Sequence, residues 1–231
     1  MNRRSHLLCS TIGTKLLMSL TGLALLAFVI AHMLGNLQVF GGPAQLNGYA
    51  KKLRDLGPLL WLARGGLLTV FVVHVASAYH VWRTNRAARP VPYFGAEPQV
   101  TTYAARTMIW SGLVVLAFVV YHLLHFSLGV TNPDHAAMRT PEGHHDVYGM
   151  VVRGFSLWPV SIAYVVAQAL LALHLAHGAS SAFQTLGVTH PRLAFLKCGF
   201  GPAIAVLIFI GNVSIPIAVL AGLVPLPAGG P

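Results

Sequence analysis

Five apolar stretches constrain this chain more than any other feature. They run from about Leu16 to Leu37, Leu59 to Trp82, Thr107 to Val130, Leu157 to Ala179 and Cys198 to Val224. Each is close to the roughly 20 residues that carry a helix across the hydrocarbon core of a bilayer. Together they hold no Asp, Glu or Lys and a single Arg, Arg64. Backbone amides in lipid must be satisfied within the segment, and the stretches are too long for barrel strands, so they read as helices. The expected fold is an all-α integral membrane protein with five transmembrane helices. It forms one unit over residues 1–231, because no connection is long enough for a second domain.

Charge content agrees. Only 9% of the residues are charged, against roughly 25% in an ordinary soluble domain. Fifteen basic and five acidic side chains cannot cover a soluble surface of this size, which excludes a soluble enzyme and a disordered chain. Arg3 and Arg4 precede the first stretch as they would in a signal peptide. Its apolar run is too long for that, and no small-x-small cleavage site follows Leu34, so it is kept as a spanning helix.

The net charge of +10 sorts by side. With the N-terminus in the cytoplasm, the inner segments hold Arg3, Arg4, Lys15, Arg83, Arg86, Arg89, Arg106, Arg192 and Lys197, with Glu97 the one acid. The outer segments hold Lys51, Lys52, Arg54, Arg64, Arg139 and Arg153, set against Asp55, Asp134, Glu142 and Asp146. Net charges of +8 inside and +2 outside follow the positive-inside rule. The excess of basic residues therefore points to a membrane and its lipids, not to nucleic acid.

Two cysteines, Cys9 and Cys198, stand far apart with no CxxC or CxxCH spacing. This disfavours a disulfide framework, an iron–sulfur cluster held by this chain and covalent c-type haem. The 12 histidines are the unusual component. Imidazole is costly inside a membrane without a partner. His32 lies in the first stretch, His74 and His80 in the second, His122 and His125 in the third, His174 and His177 in the fourth, and none in the fifth. With alternating helix directions, His32 and His122 share the outer half, and His74 and His174 share the inner half. Two bis-histidine sites stacked across a four-helix bundle is an arrangement suited to two b-type haems. His125 and His177 each follow a candidate by three residues, on nearly the same face, and are the alternative ligands.

Other histidines read as ordinary. His80 sits near the inner surface, and His6 and His190 lie in polar flanks. His135, His144 and His145 fall in the connection from about Thr131 to Ser156, expected to be a solvated loop. Ser19, Gly22, Gly65, Gly66, Ser111 and Gly112 would permit close approach of a macrocycle or of a neighbouring helix.

Four stretches in order resemble a known family. These are FVIAHMLGNLQVF around His32, FVVHVASAYHVW around His74, FVVYHLLHFSLG around His122 and LALHLAHGASSAFQTLGVTHPR around His174. The chain resembles the cytochrome b membrane anchor of bacterial succinate dehydrogenases and fumarate reductases, the single-subunit, five-helix, di-haem type. The resemblance implies two haem b groups, a distal one held by His32 and His122 and a proximal one held by His74 and His174. It also implies electron transfer to a quinone, menaquinone in this type, and a place in the bacterial cytoplasmic membrane. The implied partners are a flavoprotein carrying FAD, which oxidises succinate, and an iron–sulfur subunit. Some family members carry a Glu near the outer start of the second helix; here that stretch reads Leu62-Ala63-Arg64-Gly65. Gln38, Asp55 and Arg64 are the candidates for quinone contact, and interfacial residues meeting headgroups is an equal reading of them. Two other readings stand beside this one. One is a di-haem cytochrome b of a hydrogenase or formate dehydrogenase. The other is a haem-free transporter or anchor whose histidines line a proton path, for which Pro216 is the one interior proline suggesting a broken helix.

Overall fold

The computed structural model describes residues 10–88, 103–188 and 190–226, with the side chains of Ala104 and Lys197 left aside. Arg3, Arg4, His6, Cys9, Arg89 and Glu97 lie outside the described residues. Among those described there is no strand; one isolated bridge joins Arg139 and His145. The main helices are α1 (Thr11–Asn36), α2 (Pro43–Asp55), α3 (Pro58–Ala87), α4 (Met108–His122), α5 (Val147–Ser156), α6 (Trp158–Thr185) and α7 (Phe200–Leu220). Five spans are long and apolar enough to cross a membrane: Thr11–Gly41, Pro58–Ala87, Met108–Ser127, Trp158–Thr185 and Pro191–Leu220.

Local chemistry sets the ends of these helices. The Ser10 hydroxyl accepts from the Gly13 amide at 3.0 Å and caps α1. Gly42 (φ 87°) and Gly57 (φ 55°) adopt the left-handed backbone that lets the chain reverse, and each precedes a proline that opens a helix. These two turns bracket α2, whose Lys51, Lys52, Arg54 and Asp55 forbid it from spanning. The Asp146 carboxylate caps α5 by accepting from the Gly149 amide at 2.9 Å.

The fourth spanning helix is longer than its apolar stretch, reaching Thr185 instead of ending near Ala179. Ser180 and Gln184 look like an end in the sequence. Ser180 is buried, however, and its hydroxyl accepts from the Gly201 amide of α7 at 3.2 Å, so the polar residue is absorbed by packing. His174 is therefore near mid-helix. The expected solvated loop over 131–156 is corrected more strongly. Its second half is α5, with Tyr148, Met150, Val152 and Phe155 buried.

α6 is the centre of the molecule. It packs on α7, α1, α4 and α5, and α1 in turn packs on α3. At the end where α1 finishes, Val39, Leu46, Tyr148, Val152, Phe155, Tyr164 and Ile215 form one apolar cluster. Mid-span, Leu26, Met33, Ala179 and Ile208 form a second. Lipid is as apolar as these side chains, so close approach and interhelical hydrogen bonds must hold the span. A Cβ on Gly201 would collide with the Ala176 carbonyl, and one on Gly211 with the Met33 sulfur. Asn212 Nδ2 donates to Gln168 Oε1 across the same interface at 3.0 Å. Pro216 does not break α7, which runs on to Leu220.

Outward faces are apolar: Leu62, Leu68, Val72, Leu207 and Ile210 are all exposed. Trp61 and Trp82 are exposed near opposite ends of α3, 21 positions apart. At about 1.5 Å per residue they stand ~31 Å from one another, the thickness of a hydrocarbon core. Exposed Trp158 opens α6 at the Trp61 end, and exposed Trp110 opens α4 at the Trp82 end. Four tryptophans at two levels is the pattern of side chains at the two faces of a bilayer.

Candidate functional site

Four histidines occupy two levels of the bundle. At the first, His74 of α3 lies against α1, where its Nδ1 is 3.1 Å from the Met18 carbonyl and 3.3 Å from the Thr21 hydroxyl. Thr21 spends its own proton on the Leu17 carbonyl at 2.7 Å, so both neighbours are acceptors and His74 Nδ1 carries the hydrogen. Nε2 is left as an unprotonated nitrogen. His174 of α6 repeats the device against α4. Its Nδ1 is 3.3 Å from the Ser111 hydroxyl, whose proton goes to the Met108 carbonyl at 3.1 Å. Here too the tautomer leaves Nε2 free to act as a ligand. His74 and His174 lie within electrostatic range of one another.

Glycine positions these rings. A Cβ on Gly22 would stand 3.1 Å from His74 Cε1, and one on Gly112 would stand 3.5 Å from His174 Cε1. The small residues of α1 and α4 thus let an imidazole edge rest on the neighbouring helix. Gly65 and Gly66 have no side chain or backbone within 4 Å of a built Cβ and serve no such contact.

At the second level the structure brings His32 of α1 and His122 of α4 together, their ring centroids 5.7 Å apart and the planes at 87°. His32 is also stacked on Phe28 at 5.4 Å. The His122 Nδ1 is 3.4 Å from the Tyr164 hydroxyl. Directly beyond His122 the backbone widens into a π turn, Leu123–Ser127, a feature frequent at functional sites. It carries His125, which is 3% exposed and whose Nδ1 is 2.9 Å from the same Tyr164 hydroxyl. One hydroxyl therefore lies between two imidazoles, with a proton for only one of them. Tyr164 was not singled out in the sequence. Nothing marks it apart from other tyrosines until α6 is placed against α4.

The two levels are well separated. His74 meets residues 18–22 of α1, whereas His32 is ten to fourteen positions further along the same helix. At about 1.5 Å per residue the levels are ~15–20 Å apart. His177 is half-buried one turn beyond His174, and His80 is exposed. Among the described residues no group of three or more His, Cys, Asp or Glu is placed to hold a metal ion; the candidate ligands come as pairs.

The three candidates for quinone contact do not share a contact. Asp55 is bound to Lys51 Nζ at 2.6 Å, Arg64 lies over the Trp61 ring at 5.0 Å, and Gln38 is half-buried in the turn Leu37–Gly41. Three of the remaining histidines are engaged locally. Asn132 donates to His135, His145 donates from Nδ1 to the Met138 carbonyl at 3.2 Å, and His190 accepts from the Arg192 amide. Family models, curated proteins and solved structures were each compared with the chain, and none matched.

Proposed function

We propose that this chain is the di-haem cytochrome b anchor of a bacterial succinate:quinone oxidoreductase, carrying electrons between an iron–sulfur subunit and a quinone. The observation that carries the reading is the pair of histidine levels. At the first level both rings have Nδ1 bonded to an acceptor and Nε2 free. A donor set of neutral imidazoles in opposed pairs suits haem iron held from both faces. The spacing of the second level supports it as well. His32 and His122 stand with ring centroids 5.7 Å apart, near enough that the two would hold one group together.

Haem held by these residues would supply one-electron transfer. The chain's own residues do the rest. His74 and His174 would hold one group and His32 and His122 the other. Met18, Thr21 and Ser111 orient their imidazoles and raise their ligand strength. For His122 the corresponding arrangement has Tyr164 donating to His125 and accepting from His122 Nδ1. In that arrangement His122 would be the ligand and His125 would carry the opposite tautomer. Succinate chemistry belongs to the FAD-bearing partner, and the positive face of +8 in the sequence is the docking side for the iron–sulfur subunit. On this reading the N-terminus is cytoplasmic, the His32 level is distal and the quinone is menaquinone.

Solubilising the full chain from its native membrane in mild detergent tests the assignment. A flavoprotein and an iron–sulfur protein should copurify, and succinate should reduce the complex. Copurification with a hydrogenase or formate dehydrogenase catalytic subunit would replace this reading with the other cytochrome complex.

A further inference from the structure

Tyr164 of α6 stands between two imidazoles at the end of α4. Its hydroxyl is 2.9 Å from His125 Nδ1 and 3.4 Å from His122 Nδ1, and these are its only hydrogen-bond partners among the described residues. Tyr164 and His125 are both buried, and a buried hydroxyl proton needs an acceptor. One imidazole takes that proton, and the other keeps its contact by presenting its own N–H to the hydroxyl oxygen. The two rings are thereby held in opposite tautomers. Only the ring that donates from Nδ1 has an unprotonated Nε2 able to bind a metal.

Distance assigns the roles. Hydroxyl donors make shorter bonds than N–H donors, which gives the Tyr164 proton to His125 and leaves His122 donating. The surroundings agree. His122 meets His32 across the bundle, with ring centroids 5.7 Å apart. His125 is enclosed instead. Tyr121 stacks on it at 5.5 Å, the Phe126 ring lies 4.0 Å away, and its edge rests on α5, where a Cβ on Gly154 would stand 3.3 Å from His125 Cε1. Phe118, Tyr121, Phe126 and Phe155 surround the Tyr164 ring at 5.0, 5.9, 5.7 and 5.0 Å. Close packing of this kind holds both polar edges in place.

We propose that Tyr164 and His125 are positioning residues that select His122, and not His125, as the partner of His32 in holding a haem. The proposal rests on the reading of this level as a haem site. The purified full chain tests it, with the haem of the His74 and His174 level as an internal control for folding. The readouts are haem retention against apomyoglobin as the acceptor and the low-spin ferric EPR signal of each haem. In Y164F the His122 N–H loses its acceptor. Retention at this level should weaken about ten- to hundredfold, the usual effect of removing an outer hydrogen bond from a metal ligand, and its EPR signal should shift. H125L leaves the Tyr164 proton with His122 as its one acceptor, which imposes the tautomer that cannot bind iron, so the loss should exceed that in Y164F. H125N returns an oxygen to the accepting position and should restore most of what H125L loses. Adding Y164F to H125L removes the competing proton and should bring retention back to the Y164F level, whereas two separate packing defects would make the double variant worse than either single one. Wild-type retention and an unshifted EPR signal in Y164F, or a double variant worse than H125L, overturns the proposal. Loss of one haem in H125A with both kept in H122A also overturns it and leaves the di-haem reading standing. A folded wild-type chain without haem overturns that reading and the proposal together.

Discussion

His145 shows how a single residue on the polar end couples to pH. Burial is the main cause that lowers its affinity for a proton, aided by Arg54 and Arg139 and opposed by the Met138 carbonyl and Asp146. Its folded value lies below the unfolded value of 6.5, so the unfolded chain binds the extra proton. Its stabilising contribution is complete above the unfolded value and is lost as pH falls below it. The melting temperature of wild type should therefore fall more steeply below pH 6.5 than that of H145Q. Parallel curves would mean that His145 contributes nothing. The same scale shows what the sequence can and cannot tell. His32, His74, His122 and His174 stand out because imidazole is rare and costly in an apolar run. Tyr164 and Thr21 do not stand out, and Ser111 does so only as a small residue, because hydroxyl groups in spanning helices commonly bond their own backbone. Their second role, orienting an imidazole, depends on a neighbouring helix that no local pattern specifies.

At the scale of elements, hydropathy located all five spanning helices. It misplaced the end of the fourth, where Ser180 is buried by packing against Gly201. It also missed α5, whose Gly149, Arg153 and Gly154 break the apolar run although Tyr148, Val152 and Phe155 are buried in the apolar cluster. The contact between α1 and α3 yields a direct prediction. Gly22 stands beside His74, with 3.1 Å between a built Cβ and His74 Cε1. A leucine there must displace the imidazole, whereas the same change at Gly66 meets nothing within 4 Å. G22L should abolish one of the two proposed haem absorptions and leave the other, and G66L should keep both. Retention of both haems in folded G22L would show that His74 is not held where its ligand role requires.

For the whole molecule, the features combine into a five-helix bundle with two histidine levels inside a span bounded by tryptophans. The up-and-down order of the helices was legible from segment count alone. It placed His32 with His122 on one side and His74 with His174 on the other. The centrality of α6 was not legible, because its faces differ little in hydropathy and its partners are chosen by small residues and paired amides such as Gln168 and Asn212. The most direct measurement of the central claim is the reduced-minus-oxidised optical spectrum of the purified full chain, with haem quantified per chain. Two b-type haems are expected, one lost in H32A and in H122A, the other in H74A and in H174A. A folded chain with no haem absorption, or variants that remove haem without respecting these pairs, would contradict the account.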